Sequence, residues 1–195
     1  SLAKALTKTS QYSVQGVFHP DITKGKKAVN TLKTGQPYHQ IGSLPPADLT
    51  CIATPDDRIE NIITQLCEQA TLKPGSLVFH LSGILSLDVL APIAAKGALI
   101  ASLHPLKAFS RTSYLENHPF EYVNCAIENN DNFTSKQMLF SLAHAIKAEP
   151  FGILSSQKVL YHTAAIMASN YLVMLAHESI QLLSAAGIKA EKAHQ

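Results

Sequence analysis

The run Asp48-Leu49-Thr50-Cys51-Ile52-Ala53-Thr54, stopped by Pro55, decides how the chain is read. Its apolar centre is continuous rather than alternating, which suggests a strand buried on both faces, as in a parallel sheet. Directly after it, Ile59, Ile62, Ile63 and Leu66 recur at helical spacing over residues 56–70, with Asp56 and Asp57 in the first turn. Lys73-Pro74-Gly75 makes a turn, and residues 76–80 a second strand. Ser86 is an N-cap ahead of Leu87, Leu90, Ile93 and Ala94, with Gly97 as the stop. Residues 98–103 form a third strand, halted at His104-Pro105. Further out, residues 13–18 and 122–127 read as strands, 21–32 as a weak helix ended near Gly35, and 131–148 as an amphipathic helix. Strands alternating with helices at this spacing predict an α/β fold with a mainly parallel sheet.

The last element is different. Ser155 or Ser156 can cap a helix that runs to Ala186, with Gly187 as its stop. Such a helix spans about 45 Å at 1.5 Å per residue, too long for one small sheet, and so opens an all-α C-terminal domain. Residues 159–177 contain no Asp, Glu, Lys or Arg, but they do contain His162, Ser169, Asn170 and His177. Those polar groups are costly in lipid, so the stretch reads as a buried or subunit-interface helix rather than a membrane span. The boundary between the two domains falls at 153/154. At the ends, Ser1-Leu2-Ala3-Lys4-Ala5-Leu6 reads as the middle of a helix and residues 187–195 as a helix just beginning, as expected of a fragment trimmed on both sides.

Composition narrows the function classes. With 195 residues, 46% hydrophobic and 15% charged, the chain is too apolar for disorder. A net charge of +2 is too small for a nucleic-acid binder without a clustered patch, and Lys24-Gly25-Lys26-Lys27 reads as a solvated helix start. Cys51, Cys67 and Cys125 form no C-x-x-C; Cys51 and Cys125 sit in apolar runs and are expected as buried thiols in a cytoplasmic protein.

Polar residues collect where the strands end. Thr54-Pro55-Asp56 follows one strand, His80-Leu81-Ser82-Gly83 the next, and His104-Pro105-Leu106-Lys107 the third. Ligands of open α/β sheets bind at that edge. Each group also has a local reading: a helix cap, a histidine bonded to backbone, a turn residue. On the long helix, Lys158 and His162 are i, i+4 neighbours, and Asn170 sits about 120° round from Lys158 in ideal geometry.

Two longer runs carry a resemblance. They are His80-Leu81-Ser82-Gly83-Ile84-Leu85-Ser86 with Leu90-Ala91-Pro92 and Ser102-Leu103-His104-Pro105-Leu106-Lys107-Ala108-Phe109, and Tyr161-His162-Thr163-Ala164-Ala165-Ile166-Met167-Ala168-Ser169-Asn170-Tyr171-Leu172. Together they resemble a bacterial family that joins a Rossmann-like NADP-binding domain to a helical domain of unknown function. That family is related to 6-phosphogluconate dehydrogenase, 3-hydroxyisobutyrate dehydrogenase, ketopantoate reductase and pyrroline-5-carboxylate reductase. The resemblance implies a dinucleotide-binding domain over residues 1–153 and the start of the helical domain over 154–195. It also implies a first strand and G-x-G-x-x-G loop that this sequence lacks, so the chain as written is expected to bind a dinucleotide poorly.

The resemblance further implies residue roles. Thr54, Pro55, Asp56, Ser82 and Gly83 would line the cofactor, and His19 stands where an acidic residue would bind the ribose of NAD. With Lys24 and Lys26 following, NADP is mildly favoured and NAD is the second choice. Lys158 resembles the helix lysine that moves a proton in hydroxyacid dehydrogenases, although His162 stands where the companion Asn is expected and Asn170 comes later. His104-Pro105 is similar to a His-Pro pair of prephenate dehydrogenases. The leading expectation is an NADP-dependent oxidoreductase of a small carbonyl, hydroxy acid or imine. Lys158, His162 or His104 would supply the proton, with Ser82 and Asn170 holding the oxygen. The alternative is a degenerate, non-catalytic nucleotide sensor; a zinc site of His80, His104 and His162 lacks ligand spacing. The expected partners are a small-molecule substrate and a second subunit through the helical domain, with no nucleic acid and no membrane.

Overall fold

The protein is described by a computed structural model over residues 2–109, 118–129 and 132–189. It divides into two compact units, Ser1–Lys158 and Val159–Gln195.

The first unit opens with α1 (Leu2–Leu6), followed by β1 (Gly16–Phe18), α2 (Ile22–Leu32) and β2 (Gln36–Tyr38). Asp21 caps α2 through the Thr23 amide, and Lys33 closes it in a left-handed conformation (φ 60°). Next come β3 (Leu49–Ile52), α3 (Asp56–Gln69), β4 (Leu77–His80), α4 (Ala91–Ala94), β5 (Leu99–Pro105), β6 (Asn124–Glu128), α5 (Phe133–Ala145) and β7 (Glu149–Gly152). β1 and β2 form a parallel pair, and the other strands form one sheet in the order β3-β4-β5-β6-β7. Every pairing is parallel except β5 with β6.

The sheet is covered on both faces. On one, Leu77, Phe79, Ala101, Leu103, Cys125 and Ile127 pack against Leu139, Leu142 and Ala143 of α5, with Leu2 and Ala5 of α1. On the other, Ile52 and Val78 pack against Ile59, Ile63 and Leu66 of α3 and against Leu87, Leu90 and Ile93. Residues two apart on a strand share a face, so His80 falls on the α3 side with Val78.

Several sequence expectations need correcting. The fully buried strand is β4, not β3: all four β4 residues are buried, whereas β3 buries only Ile52 and leaves Cys51 exposed. β3 is an edge strand of its sheet, so it has a neighbour on one side only. Cys125, on an inner strand, is buried as expected. Ser86 does cap a helical segment, but a 3-10 turn (Leu87–Leu90) precedes a single turn of α-helix. β5 continues through His104-Pro105 instead of stopping before them. The helix expected from residue 131 is capped by Asn132, through the Ser135 amide.

The last helix runs Ser155–Ala185 over 31 residues. Its elements are a 3-10 turn (Ser155–Gln157), α6 (Lys158–Ile166), a π-helical turn (Met167–Tyr171) and α7 (Leu172–Ala185). Gly187, at φ 85°, supplies the left-handed stop that a side chain would disfavour. By length and composition this helix could cross a membrane. It is not buried within the chain: Leu160, Leu172, Val173, Met174, Leu175 and Leu182 are all exposed.

Candidate functional site

Strand register builds the centre of the site. Ile52 pairs with His80, His80 with Ser102, and Ser102 with Glu128. Paired residues share a face, so a polar row of histidine, serine and glutamate crosses the middle of the sheet on the α3 side. His80 is 0% exposed, and Ser102 and Glu128 are buried beside it.

The first turn of the long helix brings Lys158 onto this row. Its side chain is 2% exposed, and its ammonium lies 2.9 Å from Glu128 Oε2, itself on a side chain 2% exposed. It also donates to Ser102 Oγ at 2.9 Å and to the Leu85 carbonyl. The three ammonium protons thus have three acceptors. Glu128 is equally well supplied: it accepts from the Ser155 hydroxyl, the Leu87 amide (3.2 Å) and the Ser102 hydroxyl (3.3 Å). Burial would raise the Glu128 carboxyl. The Ser155 and Lys158 hydrogen bonds, the lysine charge and the Leu87 amide outweigh it and hold the carboxyl below its ordinary value. Burial lowers the Lys158 ammonium, opposed by the hydrogen bond and charge of Glu128 and the charge of Asp56.

A second set of bonds ties the loops together. The Ser82 hydroxyl donates to Asp56 Oδ2 at 2.9 Å, joining the loops after β3 and β4. The same oxygen accepts the Leu85 amide at 3.0 Å and the Ile84 amide at 3.3 Å. The Ser82 amide donates to His80 Nδ1 at 3.2 Å, so a neutral His80 carries its proton on Nε2. Burial, then the Lys158 charge, drive the His80 pKa down to about 4, against smaller opposing pulls from Glu128, the Ser86 backbone and Asp56. Thr54 Oγ1 is a buried atom without a hydrogen bond.

The expected site residues divide into groups. Thr54, Pro55, Asp56, Ser82, Gly83, His104 and Lys158 all belong to the first unit. Asp56 and Ser82 are in contact, and Lys158 reaches the same loop three residues further on, at Leu85. Gly83 is buried and His104 half-buried; His104 lies two residues beyond Ser102 on β5, on the same face. His19 stands apart, after β1, where its Nδ1 accepts the Asp21 amide at 2.9 Å. His162 and Asn170 belong to the helical unit. Asn170 lies inside the π turn, which adds one residue to the helical ladder. Counted that way, Asn170 falls about 20° from His162, against about 80° in an unbroken α-helix. The local reading of His80 as a histidine bonded to backbone also describes what it does.

The sequence reading missed Glu128, Ser102 and Ser155. A signal existed: one carboxylate closes an apolar strand, and one lysine opens a charge-free helix. Among the described residues no group of three or more His, Cys, Asp or Glu could hold a metal ion.

A mainly parallel sheet covered by helices on both faces, with its strand-end loops fastened to each other, defines a protein of the open α/β class. The chain belongs to the Rossmann-like domain family, whose model matches residues 1–105. Residues 123–195 match the Domain of unknown function (DUF2520). No curated protein matches the sequence. Among solved structures, a candidate NADP oxidoreductase from Bacteroides fragilis is 17% identical over 97% of this chain and 70% of that one, with a TM-score of 0.77. Prephenate dehydrogenase from Aquifex aeolicus is 12% identical over 93% and 67%, at 0.76. A pyrroline-5-carboxylate reductase from Coxiella burnetii is 13% identical over 99% and 69%, at 0.69. At these identities the likeness is one of fold. A match over 99% of the chain takes in the long helix, which is therefore part of that shared fold.

Proposed function

We propose that the protein is an NADP-dependent oxidoreductase that moves a hydride to or from a small carbonyl, hydroxy acid or imine. One observation carries this reading. The loops after β3 and β4 are bonded to each other at the carboxyl edge of the sheet, beside a fixed lysine charge, in a fold shared with dehydrogenases.

The residues present suit the uncharged end of a dinucleotide. Thr54 offers a buried hydroxyl without a partner at the end of β3. The N-terminus of α3 beside it already carries Asp56 and Asp57, which repel a pyrophosphate. Thr54, Pro55 and the Ser82-Gly83 turn would therefore border the nicotinamide and its ribose. His19, with Lys24 and Lys26 on α2, would border the adenosine end. The Asp21 carboxylate is held by Thr23, and the lysines beyond it favour a 2′-phosphate, hence NADP over NAD.

The nicotinamide supplies the hydride. The chain supplies charge and a proton. A carbonyl that gains hydride becomes an alkoxide, stabilised by a positive charge already in place. Lys158 holds that charge under the loop, but its three protons are in use. His104, half-buried at the end of β5 and on the same face as Ser102, is the candidate proton donor. Ser82 orders the loop, since its one proton goes to Asp56. The same satisfaction of Lys158 and Ser82 favours, as the second reading, a nucleotide sensor without turnover.

The exposed apolar side chains of α6 and α7 support a homodimer through the helical unit. The dehydrogenase-like fold supports a cytoplasmic protein. The test is NADPH binding and oxidation by protein made from the complete gene, against 2-oxo acids and cyclic imines. Turnover with one of them supports the oxidoreductase; binding without turnover supports the sensor; neither defeats both.

A further inference from the structure

The Lys158–Glu128 pair joins three pieces of chain distant in sequence. Lys158 comes from the helix start, Glu128 from β6, and the Leu85 carbonyl and Leu87 amide from the loop after β4. Ser102 of β5 lies between them, accepting from Lys158 and donating to Glu128. Such a fully bonded buried network is high-stakes: complete, it fixes one arrangement; with one member gone, it leaves a charge stranded. An ammonium at this depth would shed its proton without a carboxylate against it.

We propose that Glu128 is a positioning residue of the site, keeping Lys158 charged and locked against the Ser82–Leu87 loop so that the lysine charge stands where the reacting oxygen develops. This rests on the oxidoreductase reading above. The described groups facing Lys158 are Glu128 from β6, Asp56 from α3, His80 from β4, the Ser102 hydroxyl and the Leu85 carbonyl, while the Ser155 hydroxyl bonds Glu128. Among the described residues, the anions that act on Lys158 are Glu128 and Asp56, and Asp56 is exposed and engaged by Ser82. Glu128 is therefore the group that sustains the lysine charge.

The test uses protein from the complete gene and three variants. Glu128→Gln keeps the shape and removes the charge, Glu128→Asp keeps the charge on a shorter arm, and Lys158→Met assigns the lysine signal. Lysine side chains labelled with nitrogen-15 and carbon-13 are titrated by NMR, and the pH profile of NADPH oxidation is recorded beside it. In Glu128→Gln the Lys158 titration is expected to fall by about one to three pH units. The alkaline limb of kcat should fall with it, while the NADPH Kd stays within about twofold, and Glu128→Asp should restore part of both shifts. A Lys158 titration that does not move in Glu128→Gln overturns the proposal, and so does an alkaline limb that stays in place while the titration moves. If Glu128→Gln does not fold, a Lys158 titration in Glu128→Asp identical to wild type overturns it as well. Wild-type protein that oxidises no NADPH refutes the oxidoreductase reading by itself, and the titration still decides whether Glu128 holds the lysine proton.

Discussion

Replacing Lys158 by Met removes the ammonium but keeps most of the side-chain volume. It leaves Glu128, 2% exposed, without its counter-charge. Removing one partner of a buried ion pair costs about 3–5 kcal/mol. Here the lower end applies, about 3 kcal/mol, because the Ser155 hydroxyl, the Leu87 amide and the Ser102 hydroxyl still serve the carboxylate. That is a large share of the roughly 5–15 kcal/mol by which a domain is stable. The sign of the pH dependence follows from the carboxyl. In the wild type its pKa is lowered, so its contribution is present above the unfolded value and is lost as pH falls through the folded one. In Lys158→Met the buried carboxyl is raised instead, so the variant loses stability as pH rises through that value. The difference between the two proteins should be largest at pH 7 and shrink below about pH 5. Urea unfolding followed by circular dichroism from pH 4 to 8 measures it. A Lys158→Met/Glu128→Leu double variant should be less destabilised than the two single losses added together, by about 0.5–3 kcal/mol. A loss under about 1 kcal/mol at pH 7, unchanged at pH 5, would refute the claim that this pair is buried and charged.

Other outcomes follow from the same geometry. Because the His80 pKa is lowered to about 4, the unfolded chain binds the extra proton between the two values. Stability should therefore fall by up to about 3 kcal/mol as pH drops from about 6.5 to 4; acid unfolding of His80→Phe should lack that component. His104→Gln should reduce kcat by about 10²–10⁴ with the NADPH Kd unchanged, measured by stopped-flow and fluorescence titration. Leu172→Asp with Leu175→Asp should turn a dimer into a monomer in sedimentation velocity, since both side chains are exposed and apolar in the single chain.

Much of the sheet was legible because its punctuation is strong. Pro55, Lys73-Pro74-Gly75 and Gly97 bracket β3, β4 and β5, and α3 announces itself by Ile59, Ile63 and Leu66. β2 and β7 were not legible. Gln36-Pro37-Tyr38 and Glu149-Pro150-Phe151-Gly152 carry prolines that argue against a strand, yet both are edge strands, where a missing amide is tolerated. The burial of β3 was overestimated because a continuous apolar run does not say whether a strand has neighbours on both sides. The strand-end loops of the site could be read from the sheet rule, but the Glu128–Lys158 pair could not be read as a contact. The two residues are separated by a helix and a strand, and only the antiparallel register of β5 with β6 sets Glu128 opposite Ser102. The π turn had no signal either, since Met167-Ala168-Ser169-Asn170-Tyr171 differs little from ordinary helix in composition.

The most direct measurement is an NMR titration of the complete protein with NADPH, following backbone amides. The account predicts that the amides of Thr54, Ser82, Gly83 and His104 shift together with one dissociation constant. Shifts confined to residues away from the carboxyl edge of the sheet, or no shifts at saturating NADPH, would contradict it.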